Sequence, residues 1–158
     1  MNTQQKILEI VAADDRNILE IAKLFNDYRV FYKKQSDLNG AEKFIHERFI
    51  KKESFIFAAS WNNEVVGFTQ VYPTFSSVGM KKIYVLNDLF INEKFRSLGI
   101  GRSLIQYVKE FAQQNDISTI VLETASDNYT AKSLYESFGF CKELGMDVYS
   151  LNCDINHD

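Results

Sequence analysis

From Asp88 to Ala112 the chain reads as the end of an apolar strand, a charged turn and an amphipathic helix. Asp88-Leu89-Phe90-Ile91 closes the strand, and Asn92-Glu93-Lys94-Phe95 turns the chain. Arg96-Ser97-Leu98-Gly99-Ile100-Gly101-Arg102 follows, and Ile100, Leu104, Val108, Phe111 and Ala112 then share one face near the helical period. A helix start carries unpaired N–H groups and a partial positive charge. Glycines there let an anion come close to the backbone, so this turn suits a pyrophosphate. Two known phosphate patterns are excluded. No Gly-x-x-x-x-Gly-Lys-Ser/Thr occurs, and Leu104 stands where the third glycine of Gly-x-Gly-x-x-Gly would fall. What remains is Arg96-x-x-Gly99-x-Gly101 after a strand.

The other segments give that strand and helix their company. Leu8, Ile10 and Ala12 alternate as a first strand, and Asp14-Asp15 offers a cap to a helix with Ile18, Ile21, Leu24, Phe25 and Tyr28 inward. Arg29 to Asn39 has no clear period and reads as a loop or broken helix. A second helix is expected from Gly40 to Lys52. Ser54–Ser60 and Val65–Tyr72 form a hairpin around Asn62-Asn63, ended by Pro73, the chain's one proline. Thr74 to Lys81 reads as a polar loop and Lys82 to Ile91 as the strand that feeds the glycine turn. Ser118 to Ala125 is expected as a strand. A short helix follows, capped by Asp127 or Asn128, lined by Ala131, Leu134, Tyr135 and Phe138 and stopped by Gly139. Phe140–Glu143 and Met146–Leu151 are expected as a last hairpin, and the tail Asn152–Asp158 as frayed. The order β-α-α-β-β-β-α-β-α-β-β gives a mixed α/β (α+β) sheet with helices on both faces.

Length and charge remove several classes of function. The 158 residues suffice for one domain, 1–158, with a real core. Net charge is −3 with no basic block, so nucleic acid is not expected as a partner. No apolar run approaches the roughly 20 residues of a membrane helix, and the N-terminus lacks a signal-peptide shape. Cys141 and Cys153 have no metal-like spacing, so no metal site is expected. A reduced cytoplasmic setting is the expectation, and a homodimer is left open.

Three stretches resemble the GCN5-related N-acetyltransferase (GNAT) family, in the family's order. Leu86-Asn87-Asp88-Leu89-Phe90-Ile91 looks like its fourth strand, Arg96 to Gly101 like its acetyl-coenzyme A turn, and Asn128-x-x-Ala131-x-x-x-Tyr135-x-x-x-Gly139-Phe140 like its later helix. Together they span about residues 84–141. The Asn87-Asp88-Leu89-Phe90 stretch looks nearest to polyamine-type and Hpa2-like amine acetyltransferases. The family order matches the element order read from periodicity, with a splayed, mainly antiparallel sheet.

The resemblance implies that a neutral amine attacks the thioester of acetyl-CoA directly. Backbone N–H groups of Ser97, Leu98, Gly99, Ile100, Gly101 and Arg102 would hold the pyrophosphate, with Arg96 and Arg102 adding charge. The backbone of Leu89, Phe90 and Ile91 would pair with the pantetheine arm as an added strand does. Asn128 and Ala131 would lie beside the cosubstrate, and Tyr135 would be the general acid. A phenol keeps its proton at neutral pH and can give it to a developing thiolate.

The base is less defined. Several polyamine-type relatives carry a glutamate where Asn87 stands, and an amide cannot take that proton. Asp88 is the assigned base, with Glu123 or a water relay as alternatives. The acceptor is expected to be a polyamine or other small primary amine, or a lysine side chain. Tyr28 to Asp37 and Phe75 to Met80 are expected to line its cleft. A different class, a non-catalytic acyl-CoA-binding or sensing module, would fit the same fold.

Overall fold

The alternating and helical periods resolve into a five-stranded sheet of order β1-β2-β3-β4-β5 in a computed structural model that describes residues 7–154. The strands are β1 (Leu8–Ala12), β2 (Phe55–Trp61), β3 (Glu64–Ser76), β4 (Lys81–Ile91) and β5 (Ile120–Val121). Neighbours run antiparallel except β4 and β5, which are parallel. The helices are α1 (Ile18–Phe31), α2 (Leu38–Ile50), α3 (Ile100–Gln114) and α4 (Tyr129–Ser137). The chain divides into two compact units between Glu123 and Thr124, and the whole sheet belongs to the first. No helix among the described residues is long and apolar enough to cross a membrane.

Each face of the sheet buries a different set of side chains. Ile18, Ile21, Leu24 and Phe25 of α1 and Ala41 and Ile45 of α2 pack with Ile56, Ala58 and Phe68. On the other face Phe111 of α3 meets Phe55, Phe57 and Tyr84 at ring separations of 4.9, 5.1 and 5.8 Å. Burial on both faces explains β1. Val11 packs on the α1 side, whereas Ile10 pairs with Ala59 and so lies on the α3 side.

Several boundaries differ from expectation. Asn17, not Asp14 or Asp15, is the α1 N-cap residue; the Asp14 carboxylate instead accepts from the N–H groups of Arg16 and Asn17 and closes the turn ahead. Helix α1 runs on to Phe31, and α2 starts at Leu38 because Asp37 caps it through Gly40 N. The irregular tract therefore shrinks to residues 32–37. Pro73 does not end β3. Beyond Val71 the strand pairs only with β4, and a missing N–H is tolerated on such an edge. The β3–β4 connection is reduced to residues 77–80, with Met80 N donating to Ser77 O at 3.2 Å.

The second unit holds α4. Asn128 caps it by accepting from Ala131 N at 3.2 Å. Gly139, at φ 94°, stops it, and Phe140 N donates back to Tyr135 O. The expected last hairpin is not formed. Gly145 makes its bend at φ 86°, but the described residues on either side carry no strand. A two-stranded ladder is marginal without a third strand to pair with. The ends of the chain, 1–6 and 155–158, including part of the expected frayed tail, lie outside the described residues.

Candidate active site

A bulge in β4 sets the first part of the site. Gln70 pairs with Asp88 and Val71 with Leu86, so Asn87 is the extra residue between them. The bulge reverses the inward–outward parity of the strand. Leu86, opposite Val71, lies on the α3 side, while Asp88, opposite Gln70, lies on the α1–α2 side with Phe90. A regular strand would have kept Leu86 and Asp88 on one face.

Asp88 is only 2% exposed. Its carboxylate accepts from Gln70 Nε2 at 2.6 Å and from Asn87 Nδ2 at 2.7 Å. The Tyr28 hydroxyl, from α1, donates to Asn87 O at 3.3 Å. Burial pushes the Asp88 carboxyl above the usual carboxylate range, and the hydrogen bonds from Asn87 and Gln70 pull the other way. Tyr72, next on that face of β3, is pushed up to about 12, by burial first and the Asp88 charge second. Ser54 Oγ completes the chain of bonds by donating to Gln70 Oε1 at 2.8 Å. A carboxyl held this way is more basic than a solvated one and is shielded from water. Glu123, the other acidic candidate, is exposed.

The second part is an open strand edge. Strand β5 pairs with β4 only at Tyr84–Ile120 and Val85–Val121. From Leu86 to Ile91, β4 has β3 as its one ladder neighbour among the described residues. Leu89, Phe90 and Ile91 thus offer backbone groups along this edge. Phe90 is also a core residue, with Tyr28 at 6.2 Å. Ile91 reaches across β3, where a Cβ on Gly67 would lie 2.7 Å from its Cδ1.

The third part is the start of α3. After a 3₁₀ turn at Glu93–Phe95, the chain passes Ser97 at φ 63° and Gly99 at φ 80°. Gly99 is the N-cap residue and supplies no side-chain cap, so among the described residues the first-turn N–H groups have no capping side chain from that position and can take another acceptor. A Cβ built on Gly99 would meet no atom within 4 Å, so the turn opens outward. Two left-handed residues before a helix form the kind of concave array of N–H groups that binds anions. Arg96 is anchored beside it: Nε donates to Ile91 O at 3.0 Å, and the guanidinium lies 5.3 Å from the Phe90 ring and 5.7 Å from the Phe31 ring. Arg96 therefore ties the turn to β4 in addition to any ligand contact.

Asp88, Leu89–Ile91 and Arg96–Arg102 fall in the first unit, and Asn128, Ala131 and Tyr135 in the second. There Asn128 serves α4 as its cap, Ala131 supplies the capped N–H, and the Tyr135 ring stands edge-on to Phe140 at 5.9 Å. Tyr28 reads in the sequence both as an inward position of α1 and as the first residue of the tract expected to line the acceptor cleft. Gln70 was not singled out, although its parity with Val66 and Phe68 marks it as a polar residue facing inward.

The model of the Acetyltransferase (GNAT) family matches residues 18–140. A Bacillus subtilis (strain 168) protein described as the uncharacterized N-acetyltransferase YhfO is 46% identical over 145 residues, covering 92% of this chain and 97% of its own length. The crystal structure of a probable acetyltransferase superposes with a TM-score of 0.85 at 33% identity, over 94% of this chain and 99% of that one. An aminoglycoside N-acetyltransferase solved with CoA shares the fold, with a TM-score of 0.81 at 14% identity over 97% of this chain and 100% of that one.

Proposed function

This chain belongs to the GNAT family of acetyltransferases, and from that premise we propose that it moves the acetyl group of acetyl-CoA to the nitrogen of a small primary amine, a polyamine among them, by direct attack. A lysine side chain is the remaining acceptor class. The observation that carries this reading is the β4 bulge. It sets a buried, hydrogen-bonded carboxyl, Asp88, immediately before the open edge Leu89–Ile91 of the same strand.

The residues fit the cosubstrate. The uncapped start of α3, with open space at Gly99, suits a pyrophosphate held by the N–H groups of Ser97 to Arg102. The free edge Leu89–Ile91 suits the amides of a pantetheine arm. Acetyl-CoA would supply an activated acyl thioester. Alkyl amines are protonated near neutral pH, with a lysine-like pKa of about 10.4, so the acceptor must first lose a proton. Asp88 takes it, helped by the raised affinity for protons that burial confers. A backbone N–H of Leu89–Ile91 stabilises charge growing on the carbonyl oxygen. The resemblance to the family assigns Tyr135, in the second unit, the phenolic proton for the departing sulfur, and Asn128 and Ala131 of that unit a role toward the cosubstrate.

Tyr135→Phe tests this reading against that of an acyl-CoA-binding module. Loss of turnover by about 10²-fold or more, with acetyl-CoA affinity and melting temperature unchanged, supports transfer chemistry. A rate within about threefold of the parent removes Tyr135 from the mechanism.

A further inference from the structure

Gln70 is fully buried in β3, on the inward face it shares with Phe68. An amide sealed there costs free energy unless both its ends are hydrogen-bonded, and an apolar side chain would fill the position without that demand. Both ends are bonded. Nε2 donates to Asp88 Oδ2 at 2.6 Å, and Oε1 accepts from Ser54 Oγ at 2.8 Å. An ionised carboxylate only accepts, so the amide must present Nε2 to it, and Oε1 then needs a donor on its far side. Ser54, half-buried just ahead of β2, supplies that donor and so sets which way the amide points. The two carboxylate oxygens are not equivalent. Oδ2 meets the buried Gln70, whereas Oδ1 accepts at 2.7 Å from Asn87, an exposed residue. Oδ1 is therefore the outward oxygen.

We propose that Gln70 is a positioning residue for the transfer reaction: oriented by Ser54, it holds Asp88 by Oδ2, keeps the carboxylate ionised and leaves Oδ1 to take the acceptor's proton. As an N–H bond of the acceptor ammonium breaks, its electron pair stays on nitrogen and an O–H bond forms at Oδ1. Gln70 and Ser54 neither gain nor lose a proton. The inference rests on the reading of Asp88 as the base. A donor to the charged form favours that form, so removing it makes the carboxyl harder to ionise. Also on this face are Tyr28 of α1, Tyr72 of β3, Arg48 of α2 and Glu53 beyond that helix. Every variant below keeps those four, so a change in the acid limb of the rate belongs to the amide.

The test is the pH dependence of kcat for the full chain, with saturating acetyl-CoA and whichever amine of a panel of polyamines, aminoglycosides, amino acids and lysine peptides gives the fastest thiol release. In Gln70→Leu the acid limb is expected to move up by about one pH unit or more, which is a rate about tenfold lower at a fixed pH on that limb. Ser54→Ala is expected to move it in the same direction, and Ser54→Thr, which keeps the hydroxyl, to stay near the parent. The Gln70→Leu/Ser54→Ala double variant should match Gln70→Leu, because Ser54 acts only through the amide. Melting temperatures check the fold, and if Gln70→Leu does not fold, the Ser54 pair decides. An acid limb that stays in place in folded variants, with only the melting temperature lowered, makes the pair structural and overturns the proposal while leaving Asp88 as the base. Shifts that add in the double variant overturn the route from Ser54 through Gln70. Parent-like turnover by Asp88→Asn overturns the base and the positioning role together, as does a panel in which no amine is acetylated.

Discussion

Gln70 Nε2 donates to Asp88 Oδ2 across 2.6 Å, and the two residues are direct cross-strand partners sealed from solvent on the α1–α2 face of the sheet. The bond depends on the bulge at Asn87, which turns Asp88 toward that face. Gln70→Leu would strand the Asp88 carboxylate without one donor and the Ser54 hydroxyl without its acceptor. Urea unfolding is expected to show a loss of about 1–3 kcal/mol. A loss under about 0.5 kcal/mol, the size of an ordinary surface change, would mean the pair contributes nothing to stability.

Asp88 gives stability an unusual pH dependence. Its folded pKa lies above its unfolded value, so between the two the folded state holds more protons. Its contribution is therefore most favourable below the unfolded pKa and is lost as pH rises through the raised folded pKa. Asp14 behaves oppositely, since the hydrogen bond from the Arg16 side chain lowers its pKa. Unfolding free energies of the parent and Asp88→Asn, measured from acid upward, are expected to shift in favour of the variant across that window. A difference that stays flat with pH would contradict the raised pKa.

Much of this arrangement was legible in the sequence, because it is local. Gly99 and Gly101 at the head of an amphipathic helix mark the α3 turn, and Asn128, Ala131 and Gly139 mark the start and stop of α4. The bulge was not legible. It is a property of pairing, visible only when Gln70 and Val71 are set against Asp88 and Leu86. Alternation along β4 alone puts Asp88 with Leu86, and the structure puts it on the other face. Pro73 misleads for a related reason, since its cost depends on whether β3 has a neighbour there. The apolar positions of Met146–Leu151 suggest a strand, but period alone does not supply the edge a strand must pair with.

At the α3 turn, strain and occlusion can be separated. Gly99 has φ 80°, so Gly99→Val would be strained whatever the space around it. Asparagine tolerates that conformation better, and Gly99→Asn adds a side chain on the open side of the turn. Calorimetry is expected to show acetyl-CoA affinity at least about tenfold weaker, about 1.4 kcal/mol, with the fold intact by circular dichroism. Unchanged affinity in folded Gly99→Asn would move the pyrophosphate elsewhere.

Asn128 caps α4 through Ala131 N. Asn128→Ala is expected to cost about 1 kcal/mol, and Asn128→Asp, which keeps a capping oxygen, much less. Thermal melts of the pair check this. Equal melting temperatures for Asn128→Ala and the parent would show that the cap does not stabilise the helix measurably.

The most direct measurement is product formation from acetyl-CoA and the panel of polyamines, aminoglycosides, amino acids and lysine peptides, following free thiol and the mass of the amine together. The account expects thiol release to rise with at least one small primary amine or polyamine, above the rate without protein, with one acetyl group appearing on that amine for each thiol released. Thiol release that no amine accelerates, from protein that still binds acetyl-CoA, would contradict it and leave an acyl-CoA-binding module on the same fold.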